Sequence, residues 1–149
     1  MSKIVIIGAG AMGSAFALPC LDNNHDINII GTHLENSFID QLNKNNNLHP
    51  GLNTKIPKEI KIHKFDKFDE LMKSNVDLIV LGISSKGIEW VADQLSKIYK
   101  NGKIPKLLML TKGLSIYNNQ YELLVDKLER LLEDKEITKV DISAVGGPC

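Results

Sequence analysis

The sequence of 149 residues predicts an α/β fold with a doubly wound parallel sheet. Short β-branched runs alternate along the chain with stretches of helical periodicity. Most of these runs are apolar throughout, as in strands that are covered by helices on both faces. The predicted strands are Ile4–Ile7, Ile27–Ile30, Ile60–Ile62, Leu78–Leu81, Leu107–Leu110 and Ile142–Val145.

Helices are predicted between these strands. The residues Ile88, Val91, Leu95 and Ile98 follow the i, i+3, i+7, i+10 spacing of one helix face. A broader apolar stripe runs from Tyr121 to Leu132, and both stripes are expected to face the core. The asparagine-rich segment from Asn43 to Gly51 is predicted to be a polar loop between the second helix and the third strand.

Length and composition predict one domain covering residues 1–149, with 43% hydrophobic and 24% charged residues. The formal net charge is zero, so no global field would attract nucleic acid or an anionic membrane. Cys20 and Cys149 have neither metal-site nor disulfide-framework spacing. We therefore expect a cytoplasmic protein without a metal site. The apolar amino terminus has a signal peptide's outline, but its ordered glycines and single positive charge argue against one.

A glycine-rich turn follows the first predicted strand and opens a helix. Gly8, Gly10 and Gly13 stand in a G-x-G-x-x-G frame. Gly8 allows the tight turn, Gly10 lets a pyrophosphate approach the backbone, and Gly13 allows close packing of helix on strand. This arrangement is typical of the Rossmann dinucleotide-binding fold, whose strand order is 3-2-1-4-5-6. The alternative is a strand–helix turn that binds no ligand.

The end of the second predicted strand bears on the choice of nicotinamide cofactor. An NAD site usually has an acidic residue there, which binds the ribose 2′-hydroxyl. In this sequence the tip is Gly31, Thr32 and His33, and Glu35 comes slightly later. Thr32 and His33 could donate hydrogen bonds to a 2′-phosphate, which favours NADP. The alternative is that Glu35 or the backbone binds the ribose of NAD.

Two further candidates follow the fifth and sixth predicted strands. Lys112, with Gly113 beside it, comes at the carboxyl end of the fifth strand, where ligands of parallel sheets bind. A lysine there can bind phosphate or polarise a carbonyl group. Gly146 and Gly147 end the sixth strand, and their amides could bind an anion. The alternatives are a surface lysine and a simple turn.

Four segments together resemble a known family: "GAGAMGSAFA", "NLHPGLNTKIPKEIKI", "TKGLS" and "SAVGGPC". In this order they resemble the amino-terminal cofactor-binding domain of NAD(P)-dependent glycerol-3-phosphate dehydrogenase. The first segment is shared by many dehydrogenases, whereas the other three are more specific as a set. The resemblance covers nearly the whole chain.

The resemblance implies roles for residues at matching positions. Ala11 and Met12 would contact the dinucleotide in the glycine turn. Thr32 and His33 would contact the adenosine ribose or its phosphate. Lys112 matches a lysine that binds both cofactor and substrate.

The resemblance also implies a substrate loop at the end of the chain. Gly147 and Cys149 match a Gly-Pro-Ser/Thr loop, from which Cys149 departs because a thiol is a poorer donor than a hydroxyl. Ile83 departs as well, because the family often has proline there. Both departures bear on fine specificity more than on fold.

The implied reaction interconverts sn-glycerol 3-phosphate and dihydroxyacetone phosphate, with NADP or NAD as cofactor. The family continues into a helical domain that carries a second, proton-transferring lysine, and this domain is expected to be absent from the chain. We therefore expect cofactor binding with little turnover. The expected partners are the phosphorylated substrate and the chain's own carboxyl-terminal domain or a complementing fragment, with a second copy of the chain, as a homodimer, a further candidate. Two alternatives are a ketopantoate reductase-like NADP-dependent enzyme and a non-catalytic dinucleotide sensor.

Overall fold

The computed structural model describes residues 1–100 and 104–146. The strands are β1 (Lys3–Ile7), β2 (Asp26–Ile30), β3 (Leu48–His49), β4 (Thr54–Lys55), β5 (Lys61–His63), β6 (Leu78–Leu81), β7 (Lys106–Met109), β8 (Leu114–Tyr117), β9 (Gln120–Leu123) and β10 (Ile142–Ala144). The α-helices are α1 (Ala11–Asp22), α2 (Asn36–Lys44), α3 (Phe68–Met72), α4 (Ile88–Tyr99) and α5 (Leu124–Glu133). Short 3₁₀ turns at Phe65–Lys67 and Ser85–Gly87 precede α3 and α4.

A six-stranded parallel sheet forms the centre of the fold, in the order β10-β7-β6-β1-β2-β5. Counted along the chain within this sheet, the order is 3-2-1-4-5-6, as the sequence predicts. The strand order reverses at β1, which pairs with β2 on one side and with β6 on the other. This switch point is where open α/β sheets bind ligands.

The core lies on both faces of the sheet, which explains the uninterrupted apolar runs. In β1, Val5 and Ile7 point to one face and pack in the cluster that includes residues of α4 and α5. Ile4 and Ile6 point to the other face, in the cluster that includes residues of α1 and α2. The doubly wound architecture is therefore confirmed.

The predicted helical stripe from Tyr121 to Leu132 is wrong at its beginning. Tyr121 lies in β9, which forms a hairpin with β8, and the helix α5 starts only at Leu124. The two-residue turn of this hairpin, Asn118 and Asn119, has φ values of 50° and 59°. Positive φ at both positions is the hallmark of a type I′ turn, which asparagine tolerates better than most residues.

The asparagine-rich segment is also more ordered than a polar loop. The helix α2 reaches into it as far as Lys44, and β3 pairs with β4 as a small antiparallel hairpin. Within it, His49 is only 2% exposed. The prediction of a polar loop therefore fails at His49, which packs against the glycine turn.

None of the helices in residues 1–100 and 104–146 combines the length and the apolar character needed to cross a membrane.

Candidate functional site

Two of the three glycines in the turn after β1 are required by the packing of the backbone. Gly8 has a φ of +107°, and a β-carbon there would lie 2.5 Å from the carbonyl oxygen of Gly82. A β-carbon at Gly13 would lie 2.4 Å from the carbonyl oxygen of Gly8. Both distances are shorter than real β-carbons tolerate, so any other residue would displace the backbone. These two glycines need no ligand to explain them.

Gly10 differs from them, because the fold alone does not require a glycine there. A β-carbon at Gly10 would meet no heavy atom within 4 Å, and its φ of −67° is accessible to any residue. Gly10 is the N-cap of α1, where no side chain caps the helix and no acid stands in the first turn. The unused amides and the helix dipole favour an anion at this position. Open space beside free amides fits the pyrophosphate of a dinucleotide.

The peptide groups of Ala9, inside the turn, are fixed by side chains from three parts of the chain. Its amide donates to Oε1 of Glu35 at 3.1 Å. Its carbonyl oxygen accepts from the hydroxyl of Ser14 at 3.1 Å, and Nε2 of His49 lies 3.1 Å from the same oxygen. Because a carbonyl oxygen only accepts, Nε2 of His49 must carry the proton. The glycine turn is therefore held in shape before any ligand arrives.

The carboxylate of Glu35 lies at the tip of β2. Its Oε2 accepts the amide hydrogen of Thr32 at 2.7 Å, and the turn is closed by the amide of Glu35, which donates to the carbonyl oxygen of Thr32 at 3.0 Å. The sequence interpretation that favours NADP places Glu35 slightly after the tip, whereas in the structure its carboxylate reaches the tip. The reversal of the chain between Thr32 and Glu35 brings a later residue back to the tip.

A cavity of about 520 Å³ lies at the carboxyl edge of the sheet, where the strand order reverses. Its walls include Gly10, His33, Glu35, Lys86 and Trp90. The rings of His33 and Trp90 have centroids 5.0 Å apart and form an aromatic wall. A cavity with apolar and aromatic walls and a few polar groups is the usual form of a cofactor site.

A smaller cavity of about 250 Å³ is lined in part by Met12 and Lys112. Gly82 and Ile83 line both cavities, so the two spaces are neighbours along the same edge. Lys112 is exposed and follows β7 directly after Leu110 and Thr111. The hydroxyl of Thr111 donates to the carbonyl oxygen of Ile83, which ties this end of β7 to the loop after β6.

The structure brings most of the sequence-predicted candidates together. Gly8, Gly10, Thr32 and His33 line the larger cavity, and Met12 and Lys112 line the smaller one. Ala11 is the exposed first residue of α1, and Gly13 lies in its first turn. Gly147 and Cys149 lie outside the described residues.

Sequence reasoning missed several residues of the larger cavity and its surroundings, and three of them carry chemistry. Lys86 and Trp90 follow β6, and His49 supports the glycine turn. The signal for Lys86 was available, because it follows a parallel strand at the same sheet edge as Lys112. No local signal identifies His49, since its contact with Ala9 spans forty residues of chain.

Comparisons with known proteins agree with this geometry. The family model for the N-terminus of NAD-dependent glycerol-3-phosphate dehydrogenase matches residues 3–149. The NADP(+)-dependent glycerol-3-phosphate dehydrogenase of Archaeoglobus fulgidus is 28% identical over 146 residues, which are 98% of this chain and 41% of that protein. A glycerol-3-phosphate dehydrogenase (NAD(P)+) of Oceanobacillus iheyensis is 28% identical over 148 residues, 99% of this chain and 40% of that protein.

A solved structure shows the same fold. The glycerol-3-phosphate dehydrogenase of Coxiella burnetii superposes with a TM-score of 0.75 and 18% identity, over 99% of this chain and 41% of that one. This chain thus spans about two fifths of the length of the curated relatives described above. The resemblance seen in the sequence is confirmed, because the family model covers nearly every residue: the chain belongs to the family defined by the N-terminus of NAD-dependent glycerol-3-phosphate dehydrogenase.

Proposed function

We propose that this chain is the cofactor-binding part of an oxidoreductase that interconverts sn-glycerol 3-phosphate and dihydroxyacetone phosphate with NAD(P). One observation carries the binding part of the proposal. Gly10 leaves open space beside uncapped helix amides at the switch point of the sheet, and nothing in the fold requires that space. The substrate part rests on the family, whose relatives are named glycerol-3-phosphate dehydrogenases.

The two cavities suit the two halves of a dinucleotide. The adenosine half would lie in the larger cavity against His33 and Trp90, and the pyrophosphate would lie at Gly10. The nicotinamide half would reach the smaller cavity, beside Met12 and Lys112. The bound cofactor would supply the hydride chemistry, and the protein supplies orientation and charge.

Lys112 is the proposed substrate-orienting residue. It is exposed at the carboxyl edge of the sheet, where an ammonium group can bind a phosphate or polarise a carbonyl oxygen. Gly147 and Cys149 remain proposed substrate-loop residues. The proton-transferring lysine is proposed to belong to a further domain or a complementing fragment, so the chain alone should bind cofactor with little turnover.

Binding can be tested directly, because the one tryptophan of the sequence, Trp90, lines the larger cavity. Energy transfer from Trp90 to the dihydronicotinamide should report binding of NADH or NADPH to the purified chain. Circular dichroism of the same sample establishes that the chain is folded. A folded chain that binds neither dinucleotide would contradict the proposal.

The substrate can be tested with the cofactor present. Ligand-observed NMR should detect binding of dihydroxyacetone phosphate to the NADH-loaded chain. Unphosphorylated dihydroxyacetone is the matched control and should give a weaker binding signal. Replacement of Lys112 by Met should remove the difference between the two compounds. Equal signals from both compounds with the unmodified chain would contradict a phosphate site at Lys112.

A further inference from the structure

The carbonyl oxygen of Ala9, in the glycine turn after β1, receives hydrogen bonds from two buried side chains. Ser14 is fully buried and donates through its hydroxyl, and His49 is 2% exposed and donates through Nε2, each at 3.1 Å. Ser14 lies in α1 beside the turn, whereas His49 comes from β3, forty residues away along the chain. One donor is enough to satisfy a buried carbonyl oxygen. The second, long-range donor therefore needs an explanation other than satisfaction of the backbone.

The same peptide group carries the amide of Gly10 on its opposite side. The described residues contain no cis peptide bond, so the carbonyl of Ala9 and the N–H of Gly10 point in opposite directions within one plane. The two buried donors hold the carbonyl oxygen towards the interior, and the amide of Gly10 is thereby directed outward. Gly10 lines the larger cavity, and in residues 1–100 and 104–146 its amide donates no hydrogen bond. An amide in this orientation suits an anionic acceptor.

Glycine at position 10 makes this peptide group easy to reverse. A reversal would carry the φ of Gly10 from −67° to a positive value. Glycine populates positive φ about as readily as negative φ, whereas other residues avoid it. The open space beside Gly10 thus comes with a backbone that could present the carbonyl oxygen to the cavity in place of the amide. A carbonyl oxygen in that place would repel a phosphate.

The ring of His49 is placed to prevent this reversal, although it leaves one buried polar atom unpaired. The ring lies edge-to-face with that of Phe38, with centroids 5.3 Å apart, and a β-carbon at Gly51 would lie 3.3 Å from its Cε1. Because Nε2 carries the proton, Nδ1 of the neutral ring is a bare acceptor. Nδ1 is buried and has no hydrogen-bond partner among the described residues. Such an atom destabilises a fold, so stability alone does not explain a histidine here.

We propose that His49 is a positioning residue for the dinucleotide: by donating to the carbonyl oxygen of Ala9, it directs the amide of Gly10 at the pyrophosphate. The inference rests on the proposed function, because it assumes that the pyrophosphate lies at Gly10. His49 lines neither of the two cavities, so it acts through this one peptide group. An amide that is oriented before the ligand arrives does not have to be ordered at the expense of binding free energy.

Three replacements of His49 separate positioning from packing. His49→Gln keeps an N–H donor at about the distance of Nε2, His49→Asn carries the same amide group on a shorter side chain, and His49→Leu has no donor. Trp90 emission gives the dissociation constant of NADH for each variant. His49→Leu and His49→Asn should bind NADH about tenfold more weakly than the unmodified chain. His49→Gln should stay within about twofold of it.

Three further measurements distinguish positioning from a purely structural role. Adenosine, which has no pyrophosphate, should bind all variants equally in ligand-observed NMR. The urea midpoint of His49→Leu should not fall, because Ser14 still donates to Ala9 and the unpaired Nδ1 is removed. Proton–nitrogen correlation spectra of the unmodified chain should show a proton on Nε2 of His49 and none on Nδ1.

Several results would overturn the inference without touching the proposed function. These are an unchanged affinity for NADH in His49→Leu, equal losses in His49→Leu and His49→Gln, losses for adenosine that match those for NADH, or a proton on Nδ1 in place of Nε2. A fall in the urea midpoint of His49→Leu that His49→Gln restores together with the affinity would assign a packing role to His49 and would also overturn it.

Should His49→Leu not fold, the comparison of His49→Gln with His49→Asn and the spectrum of the unmodified chain decide the same point. Equal affinities of the glutamine and asparagine variants would then contradict the inference. Failure of the folded, unmodified chain to bind any dinucleotide would instead overturn the proposed function, and the inference with it.

Discussion

Replacement of Gly10 by alanine should separate ligand binding from folding. The added methyl group meets no heavy atom within 4 Å, and the backbone conformation is accessible to alanine. Restriction of the unfolded chain would stabilise the variant by about 0.4–1 kcal/mol. Alanine is also a poorer N-cap than glycine, by about 1 kcal/mol. Since these effects oppose each other, we expect a free energy of unfolding within about 1 kcal/mol of the original value.

Binding should suffer much more than stability. Gly10 lines the larger cavity, so its methyl group would occupy the space through which a pyrophosphate reaches the amides of α1. A hydrogen bond to a charged group contributes about 1.5–3 kcal/mol. Loss of one such bond would raise the dissociation constant of NADH about 10- to 150-fold. Titration through Trp90 emission measures this change, and urea unfolding measures the stability.

Gly13→Ala is the matched comparison, because it makes the same chemical change in the same turn. Its methyl group would lie 2.4 Å from the carbonyl oxygen of Gly8, so the backbone must move. Overpacking of this kind costs about 1–3 kcal/mol or more. The reasoning would be refuted if Gly10→Ala bound NADH like the unmodified chain, or if it lost as much stability as Gly13→Ala.

Three further predictions concern other parts of the molecule. The unmodified chain should oxidise NADH with dihydroxyacetone phosphate no faster than a protein-free blank, and steady turnover would show that no second domain is needed. Arg130→Gln removes the ion pair with Glu122 and the stacking on Tyr117, so its urea midpoint should fall, whereas that of Glu129→Gln should not. Burial lowers the pKa of His63, so its contribution to stability is fully present above the ordinary histidine pKa and is lost as the pH falls below that value. The decrease in urea midpoint between pH 7 and pH 5 should therefore be smaller in His63→Gln; an unchanged decrease would contradict it.

The fold could be predicted from the sequence because its strands are covered on both faces. Runs such as Ile4–Ile7 and Leu78–Leu81 stay apolar throughout, and helices on both sides of the sheet explain that pattern. The hairpin of β8 and β9 could not be found in this way, since Leu114, Ile116, Tyr121 and Leu123 are all more than half exposed. Apolar residues that face solvent give a misleading periodicity. Only the pair Asn118–Asn119 indicates the turn.

The candidate site could be predicted where a residue type in a fixed sequence spacing is enough to indicate its role. It could not be predicted where a turn or a long-range contact brings a residue into the site. The glycine frame indicated Gly8, Gly10 and Gly13. Only the three-dimensional structure shows that backbone packing requires glycine at Gly8 and Gly13 but not at Gly10. The sequence position of Glu35 looks too late for the strand tip, because the short turn after Thr32 cannot be read from spacing alone. His49 supports Ala9 from a segment with no visible periodicity.

The order of the elements along the chain has a consequence for synthesis on the ribosome. Every described residue that lines the larger cavity lies between Gly8 and Trp90, whereas Lys112 follows β7. Chains emerge amino terminus first, at about 5–20 residues per second. The residues proposed to bind the adenosine half are therefore all synthesised about one to four seconds before Lys112, the residue proposed to bind the substrate. The proposed cofactor cavity is therefore complete in the growing chain before the proposed substrate residue is added.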